Sequence, residues 1–323
     1  MPRRVLVTGA SGLIGRHVVS QLLSRGDAPV VLFRRDRVEW ADQAGVEVRR
    51  GDLRDPQSLA EAVRGCVVVV HAAGELFDRQ QMRATNVDGT RNLLEALPPG
   101  VEHVVMVSSI GVIGPAAKGR VSEDQQCHPT TEYEITKLEA ETLALEFGER
   151  TGTAVTALRP TDVFGEREDT GRGDSFAALL RAIASGRFMY FGHGAIANYV
   201  YAADVADACI AAADRGVRGV IHLSDPCPLS DFINAASSAL GAGSPSKRIP
   251  KAAAYAVAGA LQVAGALTGR KAPLTVNRVR ALTSRTMYVS VRIPSEFAWQ
   301  PRFGYSEGLR RTVAHYRRMG LLS

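Results

Sequence analysis

The run Val5-Leu6-Val7-Thr8-Gly9-Ala10-Ser11-Gly12-Leu13-Ile14-Gly15 leaves this chain little freedom at its start. A short β-branched stretch ends in three closely spaced glycines, and a helical pattern then continues to about Arg25, where Gly26 stops it. Strand, tight turn and helix must follow one another. Glycine stands where the chain bends, where backbone approaches a ligand, and where helix meets sheet. Amide groups at such a helix start offer an anion site. The pattern predicts a dinucleotide pyrophosphate held around Gly9, Ser11, Gly12, Leu13, Ile14 and Gly15. The rival reading is a glycine-rich turn that binds nothing.

Strand-like and helical stretches then alternate. Strands are expected at 29–33, 46–50, 67–71, 103–109 and 153–158. Helices are expected at 56–64, 86–97 and 132–150, the first capped by Asp55 with Pro56 at its first position. This alternation implies an α/β fold, a doubly wound parallel sheet of the Rossmann type. We expect a dinucleotide-binding domain over 1–165. Residues 166–323 then form a smaller C-terminal substrate lobe, with segments returning to the first domain.

Thr131 and Glu134 make a capping box that starts the last of these helices and puts Tyr133 in its first turn. Lys137 follows four residues later, on the same face. A phenol ordinarily titrates near 10, and an adjacent cation lowers that by roughly 1–3 units. The pair is therefore a candidate for acid–base work, with Ser108-Ser109 at a strand end between it and the glycines.

The net charge of +6 and pI near 9.3 allow anionic partners, but no nucleic-acid module is visible. Cys66, Cys127, Cys209 and Cys227 are widely spaced, which reads as free thiols rather than a disulfide or zinc framework. No metal ligands are assigned. The opening apolar run is too short for a secretory signal, and a cytoplasmic protein is expected.

In order and spacing, several motifs together resemble the extended short-chain dehydrogenase/reductase family, also called NAD-dependent epimerase/dehydratases. They are the glycine turn, Gly51-Asp52-Leu53, His71-Ala72-Ala73-Gly74, Asn86-Val87-Asp88-Gly89-Thr90, Ser108-Ser109, Tyr133-x-x-x-Lys137 and Arg159-Pro160-Thr161-Asp162-Val163-Phe164-Gly165. The resemblance implies that Ser109 binds the substrate oxygen, Tyr133 passes the proton, and Lys137 holds the nicotinamide ribose while tuning Tyr133. It further implies that Asp52 and Leu53 meet the adenine and that Ala72, Ala73 and Gly74 let the chain run close to the cofactor. Ser108, Pro160 and Val163 complete the expected cofactor site. Asn86 reads as an anchor for its helix.

Aligned with the family, Arg34 and Arg35 follow the second strand where NAD-binding members usually place an acid. Paired guanidiniums suit a 2′-phosphate, so NADP is expected, with Asp36 as the argument for NAD. The nucleotide-sugar branch usually has asparagine at the Asp162 position and arginine before Tyr199-Val200-Tyr201. Here Asp162 and Ala195-Ile196-Ala197-Asn198 stand instead, which disfavours a diphosphate unless Arg167, Arg172 or Lys247 compensates. The expected substrate is a fairly apolar small molecule carrying a secondary alcohol or ketone, as in the 3β-hydroxysteroid dehydrogenase and dihydroflavonol reductase branch.

The first rival is a nucleotide-sugar epimerase or dehydratase with tightly bound NAD. The second is a non-catalytic dinucleotide sensor, against which Ser109, Tyr133 and Lys137 argue. Residues 252–267 are apolar almost all round, about 24 Å long as a helix. They read as a buried or pocket-lining helix, or else as a peripheral membrane contact flanked by Lys251, Arg270 and Lys271. Asp204 reads as a helix cap, the tail helix from Ser306 as a packing element, and a homodimer is allowed.

Overall fold

The computed structural model describes residues 2–34, 43–115, 119–167, 175–269, 272 and 274–322. Arg35, Asp36, Arg172, Arg270 and Lys271 lie outside the described residues.

Seven strands form one wholly parallel sheet: β1 (Arg4–Thr8), β2 (Ala28–Phe33), β3 (Glu47–Arg50), β4 (Val68–His71), β5 (His103–Val107), β6 (Ala154–Pro160) and β7 (Gly219–Leu223). Their spatial order is β7-β6-β5-β4-β1-β2-β3. The chain starts in the middle, winds outward through β2 and β3, then returns to β4 beside β1 and winds the other way. That reversal leaves a crevice between the ends of β1 and β4, where an open α/β sheet binds its ligand. β4 and β5 are buried along their whole length, as strands covered on both faces must be.

The expected strands and helices are present. Leu13–Ser24 is the first helix, and Pro56–Ala62 is capped by the Asp55 side chain with Pro56 at its start. Residues 86–97 differ in detail: a wider π turn, Arg83–Asp88, runs into the helix Gly89–Ala96. β7 comes from deep in the second half of the chain and pairs in parallel with β6.

The smaller lobe is built on a three-stranded sheet of Asp162–Phe164, Ile196–Tyr201 and Asp225–Pro228. Its core is aromatic, with Tyr199 stacked on Phe232 at 4.4 Å and Phe164 on Phe176 at 4.9 Å. The tail helix Gly304–Arg318 packs into it through Leu309, Val313 and Tyr316. Asp204 lies in the first turn of Ala202–Arg215 but does not cap that helix. Its carboxylate accepts N–H bonds from Phe303 at 2.9 Å and Gly304 at 3.0 Å, capping the tail helix from across the molecule.

The helix Lys251–Thr268 corrects the expectation of a buried or pocket-lining element, since only Ala254 and Ala258 along it are fully buried. All four cysteines are free thiols.

Three histidines, His71, His103 and His222, are buried on strands of the sheet, and burial holds His222 too below its ordinary value. His71 bonds to Thr8 Oγ1 at 2.6 Å and Thr90 Oγ1 at 3.0 Å, and burial, with the charge of Lys137, pushes its pKa down to about 3. Burial pushes His103 down to about 4. Both stay neutral in the fold but protonate near 6.5 once unfolded. Below pH 6.5 the unfolded chain therefore binds more protons, and stability falls as pH drops. At pH 5 the loss is roughly 2 kcal/mol for each histidine. A melting temperature unchanged between pH 7 and pH 5 would contradict this.

Candidate active site

Apart from Tyr133 and Lys137, which a helix carries, the residue groups expected in the site follow the C-terminal ends of parallel strands. The glycine turn follows β1, Ala72-Ala73-Gly74 follows β4, Ser108-Ser109 follows β5, and Thr161 to Val163 follow β6. The fold thus gathers distant segments along one edge.

The turn after β1 is shaped by contacts that exclude side chains. Gly9 has φ +69°, and a Cβ there would lie 2.5 Å from Ala73 N; a Cβ on Gly15 would lie 2.2 Å from Gly9 O. Loops after β1 and β4 therefore touch, and the helix packs hard against its own turn. Gly12 caps the helix without any side-chain bond, so the first-turn amides face the crevice uncovered. These features fit a dinucleotide pyrophosphate. Ser11 is exposed in the turn, with Leu13 and Ile14 half-buried behind it.

At the adenine end, Arg34 is exposed at the tip of β2. Asp52 is held by Arg54 at 2.7 Å, and that guanidinium, with weaker help from Arg34, keeps its carboxyl below the usual range. The Leu53 side chain is buried in the sheet–helix core, with its carbonyl bonded to Asn92, so only its backbone is left to face a ligand. The Ser108 hydroxyl likewise turns inward, donating to Glu141 Oε2 at 2.6 Å. Pro160 is buried at the end of β6, and Val163 is half-buried beside it.

At the reacting end, the capping box at Thr131 and Glu134 is present and starts the helix Glu132–Thr151. Tyr133 is half-buried and hydrogen-bonded to Ser109, whose hydroxyl also accepts Gly111 N at 3.1 Å. Lys137, one turn on, is buried, and its ammonium donates to Val107 O at 2.6 Å. A Cβ on Gly74 would lie 3.4 Å from Asn86 Oδ1 and 4.0 Å from Lys137 Nζ, so these three form one wall. Asn86 also bonds Glu75 N at 2.8 Å, Glu75 O at 3.1 Å and Thr136 Oγ1 at 3.1 Å. It ties the loop after β4 to the helix carrying Tyr133 and Lys137, an anchoring role.

The electrostatics reverse one expectation. Burial holds the Tyr133 phenol above its ordinary value, with only the Ser109 hydrogen bond pulling it down. Lys137 does not lower it, because the amine gives up its own proton near 8 and is neutral before the phenol ionises. Burial pulls Lys137 down to about 8, against the charge of Glu141. At neutral pH the site therefore holds a protonated phenol beside a charged amine.

One buried pair was given no role from the sequence. Glu141 and Arg159 form a buried ion pair behind Lys137, with side chains 2% and 6% exposed, and Ser108 joins it. A lone arginine in an otherwise apolar strand was the available signal, since such a charge needs a partner. Asp162, read from the sequence as unfavourable to a diphosphate, lies on the three-stranded sheet of the smaller lobe. Asp162 reaches solvent yet is ringed by protein, and this crowding pushes its carboxyl up. Tyr199 is its register partner on the next strand. Burial, then the charge of Asp162, raises the phenols of Tyr199 and Tyr288. The charge of Arg278 pulls Tyr199 the other way.

A model of the NAD dependent epimerase/dehydratase family matches residues 5–223. Sterol demethylase protein B of Methylococcus capsulatus is 32% identical over 256 residues, covering 76% of this chain and 77% of that protein. A 4-hydroxy-2-methyl-3-oxo-4-farnesyl-3,4-dihydroquinoline-1-oxide ketoreductase of Stigmatella aurantiaca is 30% identical over 270 residues, covering 79% and 78%. Among solved structures, a UDP-glucose 4-epimerase of Thermus thermophilus in complex with NAD superposes with a TM-score of 0.72 at 25% identity. It covers 97% of this chain and 99% of that one.

Proposed function

Because the chain belongs to the NAD-dependent epimerase/dehydratase family, we propose that it interconverts a ketone and a secondary alcohol on a fairly apolar small molecule. The carrying observation is the protonated Tyr133 phenol, bonded to Ser109 and backed by Lys137, at the mouth of the crevice. A nicotinamide bound there would supply or take the hydride. Oxygen charge developing during the step is met by the Ser109 and Tyr133 hydroxyls, and Tyr133 hands over its proton. A phenol kept protonated by burial suits the donor role, which is the direction of ketone reduction. We assign the ribose to Lys137, whose ammonium bonds Val107 O beside Gly74.

The substrate class rests on Asp162, which stands where the nucleotide-sugar branch usually has asparagine. Its charge also reaches Tyr199 and Tyr288, surroundings unfavourable to a diphosphate. Relatives named for a sterol and for a farnesylated ketone support the same class. The test is consumption of reduced cofactor with a panel of sterol-like and prenylated ketones. No turnover across that panel, together with retained cofactor binding, would remove this reading.

One observation favours a second reading. The charge of Arg278 acts on Tyr199, and the solved neighbour bound to NAD is a UDP-glucose 4-epimerase. An epimerase would copurify with NAD and be thermally stabilised by a uridine or thymidine diphosphate.

For the cofactor we propose NADP, because Arg34 stands at the tip of β2, where a 2′-phosphate would lie. NADPH is expected to bind about tenfold more tightly than NADH, roughly 1.4 kcal/mol. Arg34→Ala should remove most of that margin. Equal or tighter NADH binding in the wild-type protein would make NAD the cofactor.

A further inference from the structure

The helix Lys251–Thr268 carries an apolar face that nothing among the described residues covers. Ala253, Ala256, Val257, Ala260, Val263, Ala264 and Leu267 fall at helical spacing on one stripe, and all are exposed. Val257, Val263 and Leu267 are 49%, 62% and 83% exposed, which places large apolar side chains fully in solvent. The opposite side is the one that packs, through Ala254 and Ala258 against Phe191 and Val279. Gln262 on that inner side accepts Val276 N at 2.7 Å.

Charge selects the partner. Between Asp231 and Glu296 the sequence contains no aspartate or glutamate, and it carries nine lysines and arginines. That excess is larger than the net charge of the entire chain, so the rest of the protein is net acidic. Lys247 and Lys251 are exposed at the start of the helix, and Arg280 is exposed on Val276–Leu282, which packs beside it. A long acid-free basic stretch of sequence carrying an apolar stripe fits an interfacial helix on anionic headgroups. It does not fit a span: at 18 residues the helix is about 27 Å long, and no helix among the described residues is long and apolar enough to cross a membrane.

We propose that the outer face of Lys251–Thr268 docks the protein peripherally on an anionic lipid surface. The stripe of Val257, Val263 and Leu267 enters the acyl boundary, and the neighbouring lysines and arginines meet the headgroups. The docking is independent of the reaction assigned above, because none of these residues belongs to the Tyr133 site.

Cosedimentation of the full chain with vesicles tests this. Binding is expected to vesicles containing phosphatidylglycerol, to be weak to phosphatidylcholine alone, and to fall as salt rises. The double variant Val263→Glu/Leu267→Glu should bind on the order of tenfold or more weakly. Its melting temperature and its affinity for NADPH or NADH should match wild type, since both side chains are already in water. Lys251→Glu should weaken binding to the anionic vesicles alone. Absence of binding to anionic vesicles at low salt, or equal binding by the double variant, overturns the proposal. So does a concentration-dependent dimer that the double variant abolishes while vesicles are ignored, because a second copy would then be the occupant.

Discussion

Tyr133→Phe is expected to lower kcat about a thousandfold while leaving cofactor affinity within a few-fold of wild type. The substitution removes one hydroxyl and preserves the ring, so the half-buried packing of residue 133 survives. What is lost is the proton that Tyr133 passes and one of two hydrogen bonds to the charged oxygen. Ser109 keeps its own bond from Gly111 N, and Lys137 keeps its bond to Val107 O, so the remainder of the site stays in place. Cofactor titration by fluorescence and steady-state turnover on the same preparations separate the two effects. Turnover within tenfold of wild type would take Tyr133 out of the chemistry.

Glu141→Ala is expected to destabilise the fold by about 3–5 kcal/mol. The Arg159 guanidinium is 6% exposed and meets Glu141 through two N–H bonds, while Ser108 donates to the same carboxylate. Removing the acid leaves a cation and a hydroxyl buried without their partner, the costly half of a broken pair. Glu141→Gln, which keeps hydrogen-bond acceptance but not charge, should fall between. Because Glu141 stands one turn after Lys137 and its charge opposes the burial that pulls that amine down to about 8, both variants should also lose the Lys137 charge at lower pH. Denaturant midpoints within 1 kcal/mol of wild type would show that the pair contributes little.

The sheet, the glycine turn and the start of the Tyr133 helix were legible because their signals are local. Three glycines after a β-branched run, Pro56 behind Asp55, and Thr131 paired with Glu134 each act over a few residues. Asp204 was legible only as a cap, and the helix that it caps begins a hundred residues away at Gly304. Leu53 and Ser108 matched a motif by position, but core packing and the Glu141 carboxylate took their side chains.

Residue order alone was enough to determine a parallel α/β core, and to put a phenol and an amine on one helical face. Hydrogen-bond period and turn chemistry act between near neighbours, so they can be read along a string. Only the tertiary structure decided that Tyr133 keeps its proton, that Lys137 is bound to Val107 O, and that the Lys251–Thr268 helix turns its apolar face outward. Those outcomes depend on desolvation and on which distant surfaces meet, and neither is encoded at any single position in the chain.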